Sequence, residues 1–290
     1  MRVLNLLIIY TLFTMSSNII FGHTRQLFLC HGALAGISSY TSILLSMRLG
    51  FSPWITLPLG VLLSAGIGSL FSFLSSIRRL SLILLAILTL SFQLIFEEVV
   101  TGLRNITGGD EGLVIRRDVF GIFEQTAVGR ELTYYYLLAV ILFISIYIYH
   151  RITHSYVGVA FRSIVGDEVT ASFIGVDVVK YKLLSALIGS LLLGLTGCLY
   201  AYYNLFITPS MFSLASVDVY VLVMLVFGGM GTLLGPLLGA GVFTFIFEIL
   251  RPLGRVTTLI FGILLIVLFL YFREGLVNWL KRLLIPYLRQ

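Results

Sequence analysis

The chain has 290 residues, of which 59% are hydrophobic and only 11% are charged, and its formal net charge is +6. A soluble domain usually carries about 25% charged residues, so this composition excludes an ordinary soluble globular protein. The mean hydropathy of +1.05 and the small basic excess are typical of a membrane protein with basic loops, and they do not indicate nucleic-acid binding.

Nine apolar segments follow one another along the chain, and a membrane-spanning helix needs about 20 such residues. The short alternating segments of a transmembrane barrel are absent. The predicted fold is therefore all-α, a polytopic membrane helix bundle of about eight to nine spans in a single domain over residues 1–290. The seventh and eighth segments are nearly fused, which leaves open two spans or one broken or re-entrant element. The segments are 3–21, 27–47, 53–75, 80–100, 132–150, 183–205, 214–230, 233–250 and 256–272.

The distribution of Lys and Arg predicts the orientation, because basic residues collect in cytoplasmic loops. With the N-terminus outside and the C-terminus in the cytoplasm, the inner side holds the larger share of the basic residues. The polar segment 101–131 is then an external loop, and the polar segment 151–182 is cytoplasmic. The inner basic residues are Arg25, Arg78, Arg79, Arg151, Arg162, Lys180, Lys182, Arg273, Lys281, Arg282 and Arg289.

Small residues recur at a spacing of four within the apolar segments, at Gly60, Ser64 and Gly68 and again at Gly231, Gly235 and Gly239. Helices in lipid associate through close backbone approach over such faces, so we expect tight helix contacts there. A position beside a substrate path is the alternative interpretation.

The sequence shows no recognisable motif for covalent chemistry: neither a nucleotide-binding loop nor a zinc or hydrolase motif occurs. Cys30 and Cys198 are expected to be buried, unpaired thiols, and His23 and His31 lack further ligands for a metal. The acids within the spans are expected near the outer helix ends, within reach of water, and no charge is expected at mid-membrane depth. These acids are Glu97, Glu98, Asp218 and Glu248.

The polar segment 151–182 contains the pattern of a short helix. Asp167 is expected to cap its N-terminus, with Glu168 in the first turn and Gly175 as a left-handed stop. Its apolar positions are Val169, Phe173, Ile174 and Val176. We expect this helix to lie in a groove of a partner protein, and a linker in solvent or on lipid is the alternative.

Several stretches together resemble the ABC importer permeases of the branched-chain amino acid type, in particular their LivM-like subunit. They are "FGHTRQLFLCHGALAGISSYTS", "NITGGDEGL", "GVAFRSIVGDEVTASFIGVDVVKYKLLSALIGSLLLGLTGCLYAYY" and "FITPSMFSLASVDVYVLVMLVFGGMGTLLGPLLGA". They span nearly the whole chain. The sequence departs from the family at Arg25 and Cys30, where the family usually has glycine.

The resemblance implies a permease subunit that imports branched-chain or related hydrophobic amino acids by alternating access. It implies three kinds of protein partner: a LivH-like second permease, two cytoplasmic ABC ATPases and an external substrate-binding protein. ATP would be bound by the ATPases, so this chain would carry no cofactor and would not be an enzyme. Urea, short amides or another small polar solute remain open as substrates, and a secondary transporter is a further alternative.

The resemblance also implies two groups of functional residues. The expected ATPase-coupling residues are Arg162, Asp167, Glu168, Ala171 and Gly175. The residues expected in helix packing or along the translocation path are Gln26, His31, Gly36, Gly228, Gly229, Gly231, Gly235 and Gly239.

Overall fold

The computed structural model describes residues 1–115 and 127–250, together with residue 262 and residues 275–277. In this part of the chain, α-helices dominate, with short 3₁₀ and π turns and a two-stranded ribbon. The helices are α1 (Arg2–Ser17), α2 (His31–Leu49), α3 (Pro53–Ile77), α4 (Leu82–Gly102), α5 (Arg104–Thr107), α6 (Ala127–Thr153), α7 (Tyr156–Gly166), α8 (Glu168–Phe173), α9 (Val178–Asn204), α10 (Val219–Gly228) and α11 (Leu234–Leu250).

The predicted all-α, polytopic class is confirmed. Among the described residues, five helical segments are long and apolar enough to cross a membrane: Arg2–Gly22, Pro53–Ile77, Leu82–Gly102, Gly129–Thr153 and Val178–Asn204. Each of the first eight predicted segments overlaps a helix. The ninth, 256–272, lies outside the described residues, as do residues 116–126 of the predicted external loop.

Helix α9 lies at the centre of the bundle and packs against α1, α2 and α3. Small residues allow this packing, as the spacing of Gly60 and Gly68 predicts. A Cβ atom on Gly60 would meet the carbonyl oxygen of Ser38, and one on Gly68 would meet the hydroxyl of Ser190. Larger side chains at these glycines would force α3 away from its neighbours.

The nearly fused segment 214–250 is a hairpin of two short helices. Helix α11 has 17 residues and is therefore about 26 Å long, less than the ~30 Å of a bilayer core. Between the helices, the chain turns at Gly229 and Gly231, whose φ angles are 119° and 71°. A Cβ on Gly228 would meet the backbone of Gly235, so the two helices touch at main-chain distance.

A two-stranded ribbon closes the bundle at the C-terminal end of α9. Strand β1 (Leu113–Val114) pairs antiparallel with β2 (Phe206–Ile207). The sequence does not show these strands, because two residues are too few for an alternating pattern. We call this end of the bundle the ribbon side, and the opposite end, where α7 and α8 lie, the loop side.

Candidate functional site

Helix α2 begins halfway through the bundle. Two hydroxyl contacts of 3.0 Å set its register against α9, Ser38 with Cys198 and Ser42 with Tyr202, and both pairs are 160 residues apart. By the same offset, His31 is level with residue 191, the midpoint of α9. At 1.5 Å per residue, this point lies about 20 Å from either end of α9. The N-terminus of α2 therefore faces the middle of the membrane-spanning region.

The chain reaches this point through an irregular segment, residues 25–30, between the end of the first span and α2. Gln26 anchors this segment: its side-chain amide donates to the carbonyl oxygen of Lys182 at 3.0 Å and to the hydroxyl of Thr24 at 2.9 Å. Gln26 is buried. Irregular backbone at membrane depth is tolerated only where protein surrounds it, and this segment meets that condition.

Asp218 caps the N-terminus of α2. Its Oδ1 accepts hydrogen bonds from the backbone N–H of His31 at 2.6 Å, and its Oδ2 accepts from that of Gly32 at 3.1 Å. The Nδ1 of His31 lies 3.0 Å from the same Oδ1. An ionised carboxylate has no proton to give, so Nδ1 is the donor. Three donors and the positive end of the helix thus stabilise a carboxylate that is 0% exposed.

Helix α4 contributes further caps to the same helix start. Thr89 Oγ1 accepts from the backbone N–H of Leu29 at 2.9 Å, and Gln93 Oε1 accepts from that of Ala33 at 2.5 Å. Because Thr89 and Gln93 are four residues apart, they lie on one face of α4. Together with Asp218, they satisfy the N–H groups that a helix start leaves without intrahelical partners.

The same face of α4 also holds the irregular segment before α10. Gln93 Nε2 donates to the carbonyl oxygen of Phe212 at 2.7 Å and to Glu97 Oε1 at 2.9 Å. Glu97 Oε1 in turn accepts from the backbone N–H of Leu214 at 2.7 Å. One row of polar side chains therefore connects two interrupted elements, the start of α2 and the turns that precede α10.

We call this cluster the mid-bundle site; its members are His31, Thr89, Gln93, Glu97 and Asp218. It offers backbone N–H donors, an imidazole and two carboxylates, a set suited to binding a small polar or charged molecule. Among the described residues, no group of three or more His, Cys, Asp or Glu side chains lies close enough together to hold a metal ion. The sequence anticipated only His31 of this set as a functional residue.

Asp218 corrects the expectation that the acids of the spans lie at outer, water-accessible ends and that none lies at mid-depth. The turns before α10 delay the start of that helix, so Asp218 meets His31 in the middle of the bundle. Thr89 and Gln93 were missed altogether. Their spacing of four, continued by Glu97, was a signal, because polar residues are costly on the lipid face of a span and so mark its interior face.

Gly36 lies one turn further along α2 than the cap. A Cβ on Gly36 would meet the ring of Phe96, and one on Gly32 would meet the carbonyl oxygen of Phe212. Both aromatic residues are buried. The two glycines therefore let α4 and the turns before α10 approach α2 closely enough to form the caps.

The glycine-rich turn between α10 and α11 forms a second polar cluster, nearer the loop side. Asn18 clamps it: Asn18 Oδ1 accepts from the N–H of Gly231, and Asn18 Nδ2 donates to the carbonyl oxygen of Thr232, both at 2.8 Å. Asn18 Nδ2 also donates to the hydroxyl of Tyr149. The predicted residues Gly228, Gly229, Gly231, Gly235 and Gly239 all lie in this hairpin, away from the mid-bundle site.

In the polar segment 151–182, the predicted helix is α8, and its predicted cap is confirmed. The carboxylate of Asp167 accepts from the N–H of Val169 at 3.4 Å and of Thr170 at 2.9 Å. Hydrogen bonds from Thr170 lower the pKa of Asp167 below its ordinary value. Gly175, with φ of 88°, provides the predicted left-handed stop.

Helix α8 is attached to the bundle on one face only. Lys182 Nζ lies 2.5 Å from Glu168 Oε1, which ties α8 to the second turn of α9. Ala171 is 1% exposed and faces this chain, whereas Phe173 is 86% and Ile174 is 69% exposed. Arg162 donates to the carbonyl oxygen of Thr153 at 3.3 Å and braces the turn before α7.

Comparison with known proteins identifies the family. The family model described as "Branched-chain amino acid transport system / permease component" matches residues 1–272. The chain is 28% identical over 290 residues to the "High-affinity branched-chain amino acid transport system permease protein LivM" of Salmonella typhimurium, an alignment that covers 92% of this chain and 67% of the relative. It is 27% identical over 292 residues to the protein of the same name from Escherichia coli, covering 93% of this chain and 68% of that relative. No solved structure matches. The chain is therefore a member of the family of permease components of branched-chain amino acid transport systems.

Proposed function

We propose that this chain is the membrane-spanning permease subunit of an ATP-driven importer for branched-chain or related hydrophobic amino acids. The LivM relatives carry names that state this transport, and the chain belongs to their family. ATP would be bound and hydrolysed by partner subunits, so the permease itself needs no cofactor. It would work in the cell membrane beside a LivH-like permease, with the N-terminus outside.

The observation that carries the proposal is the exposed apolar face of α8. Val169, Phe173 and Ile174 are 61%, 86% and 69% exposed at the loop side. Exposed apolar side chains of this size on a capped helix fit a hydrophobic groove of another protein. We assign that groove to a cytoplasmic ATPase, and the second ATPase would bind the LivH-like subunit.

A mechanical connection leads from α8 to the mid-bundle site. The Lys182–Glu168 ion pair joins α8 to α9, and α9 contacts α2 through Ser38 and Ser42. Motion of α8 would thus move α9 as a rigid rod and shift the start of α2. Such rocking of packed helices around a fixed central site is the movement that alternating access requires.

The ribbon side is where we propose that the substrate-binding protein docks. There, Arg48 holds the predicted external loop by donating to the carbonyl oxygen of Asn105 at 2.6 Å, and Arg130 donates to that of Tyr203 at 2.5 Å. These bonds fix the loop against α2 and α9. A fixed, mixed-charge surface suits reversible docking that is guided by charge.

The experiment that tests the proposal replaces Phe173 in the importer assembled with its partners. Phe173→Asp should abolish ATP-dependent uptake and the stimulation of ATP hydrolysis together, while Phe173→Leu should retain both. The permease should remain folded in both variants, because Phe173 contacts solvent and not the bundle. Full ATPase stimulation in Phe173→Asp would refute docking through this face.

Cysteine labelling tests the orientation. Both native cysteines are buried and free, so they give little background. Asn105→Cys should react with an impermeant maleimide in intact cells, and Gly166→Cys should react only after the membrane is opened. The reverse pattern would place α8 outside and would contradict the proposed coupling to an ATPase.

A further inference from the structure

The mid-bundle site contains a charged group that the helix packing does not require. Neutral acceptors can also cap this helix start, as the side chains of Thr89 and Gln93 do for the N–H groups of Leu29 and Ala33. A carboxylate without exposure to water is costly unless donors surround it, and in lipid such residues are typically functional. The presence of Asp218 at 0% exposure therefore calls for a role that depends on charge.

His31 gives a second, independent indication of a ligand. Its ring is 1% exposed, and Nδ1 is engaged with Asp218, yet Nε2 has no hydrogen-bond partner among the described residues. A buried ring nitrogen without a partner costs about 1–3 kcal/mol. A ligand that reaches the cap could satisfy this atom.

We propose that the start of α2 and Asp218 together bind the zwitterionic head of an amino acid substrate. The substrate carboxylate would replace the Asp218 carboxylate on the N–H groups of His31 and Gly32. The released Asp218 carboxylate would then pair with the substrate ammonium group. This inference rests on the proposed function and specifies the chemical class of its substrate.

The charges balance in this exchange. Before the exchange, one carboxylate lies at the positive end of α2. After the exchange, two carboxylates and one ammonium group lie there, so the net charge of the site is unchanged. A neutral solute such as urea or a short amide brings no anion that could displace Asp218. The geometry therefore favours amino acids over the amide substrates that the sequence leaves open.

The approach to the site is consistent with this exchange. Helix α4 runs parallel to α2, so Glu97 lies one turn closer to the ribbon side than Gln93. Glu97 is partly exposed, and its carboxylate is held in place by the N–H of Leu214. An ammonium group arriving from the ribbon side would meet Glu97 first and Asp218 next. The buried side chains of Phe96 and Phe212, which both adjoin Gly36 of α2, offer an apolar surface to a branched side chain.

The test compares Asp218→Asn with Ser72→Ala in the assembled importer. Asn keeps the shape and one of the two accepting oxygens but cannot pair with an ammonium group, so ATP-dependent leucine uptake should fall at least about tenfold, a change of about 1.4 kcal/mol. Ser72 is a buried hydroxyl of α3 without a hydrogen-bond partner among the described residues, so Ser72→Ala should transport normally. Uptake by Asp218→Asn within about twofold of the unaltered protein would reduce Asp218 to a structural cap and overturn the proposal.

A second measurement uses the purified, unaltered permease and does not depend on how a variant folds. Leucine should raise its melting temperature, because a ligand that binds the folded state stabilises it. Leucine amide, which lacks the carboxylate, and 4-methylpentanoate, which lacks the ammonium group, should not. Equal stabilisation by leucine and either analogue, or none by leucine, would overturn the zwitterion site. If the assembled importer shows no ATP-driven uptake, the proposed function fails, and this measurement still decides on the site.

Discussion

The mid-bundle site and helix α8 each contain a helix start whose N–H groups are capped by an aspartate, but the two aspartates come from different distances along the chain. Asp218 caps α2, and Asp167 caps α8. Asp218 lies 187 residues from the N–H group of His31 and is fully buried, whereas Asp167 lies three residues from Thr170 and is exposed. The distant cap fixes how interrupted segments meet inside the membrane. The local cap only shapes a helix that other proteins can reach.

The largest effect is expected from removing the distant cap. Asp218→Ala leaves the N–H groups of His31 and Gly32 buried and unsatisfied, and it removes the partner of the His31 ring. Each buried donor that is left without its acceptor costs about 1–3 kcal/mol. We expect a lower melting temperature of the purified permease and less protein in the membrane. Unchanged melting would show that water or a rearranged side chain replaces the cap.

A smaller loss is expected at Gln93, which shares its bonds with two interrupted segments. Gln93→Leu leaves the N–H of Ala33 and the carbonyl oxygen of Phe212 without their partner, at about 1–3 kcal/mol for each group. The matched control is Ser91→Ala on the same helix, because Ser91 is exposed and bonds only within α4. If both variants melted alike, the polar row of α4 would not hold the site.

The contrast between the two caps explains what the sequence could predict. Asp167, Glu168 and Gly175 act on neighbours within a few residues, so their spacing alone indicated a capped helix with a left-handed stop. The partners of Asp218 and Gln93 come from other helices, and no local pattern shows which helices will meet. Apolar segment lengths predicted the spans, but they could not show that α2 begins at mid-depth, because that depends on the packing of Gln26 and of α9.

Replacing Gly175, the left-handed stop of α8, should have an intermediate effect on stability, and the sequence alone predicts this position. Gly166 and Gly175 flank α8, and a Cβ atom at either position would enter open space. They differ in backbone conformation, because only Gly175 has a positive φ. Gly175→Ala should therefore cost about 1–2 kcal/mol, whereas Gly166→Ala should cost almost nothing.

Comparing Gly175→Ala with Gly166→Ala separates the effect of backbone conformation on the proposed coupling from the effect of an added methyl group. Stimulation of ATP hydrolysis should fall in Gly175→Ala and persist in Gly166→Ala, with both permeases present in the membrane in equal amounts. Equal stimulation in both variants would mean that the direction of the chain after α8 does not affect contact with the ATPase.

The smallest effect is expected at the local cap. Asp167→Asn retains one oxygen that can accept the N–H group of Thr170, the shorter of the two cap bonds, so ATPase stimulation at neutral pH should stay nearly unchanged, while Asp167→Ala should lower it modestly. Because the hydrogen bonds from Thr170 lower the pKa of Asp167 in the folded protein, its stabilising effect is present at neutral pH and is lost only as the pH falls through that lowered pKa. Carboxyl NMR of the unaltered protein should show this titration, and the signal should be missing in Asp167→Asn. A strong loss of stimulation in Asp167→Asn would instead show that the charge of Asp167 is needed, as we propose for Asp218. The two caps would then differ only in their burial.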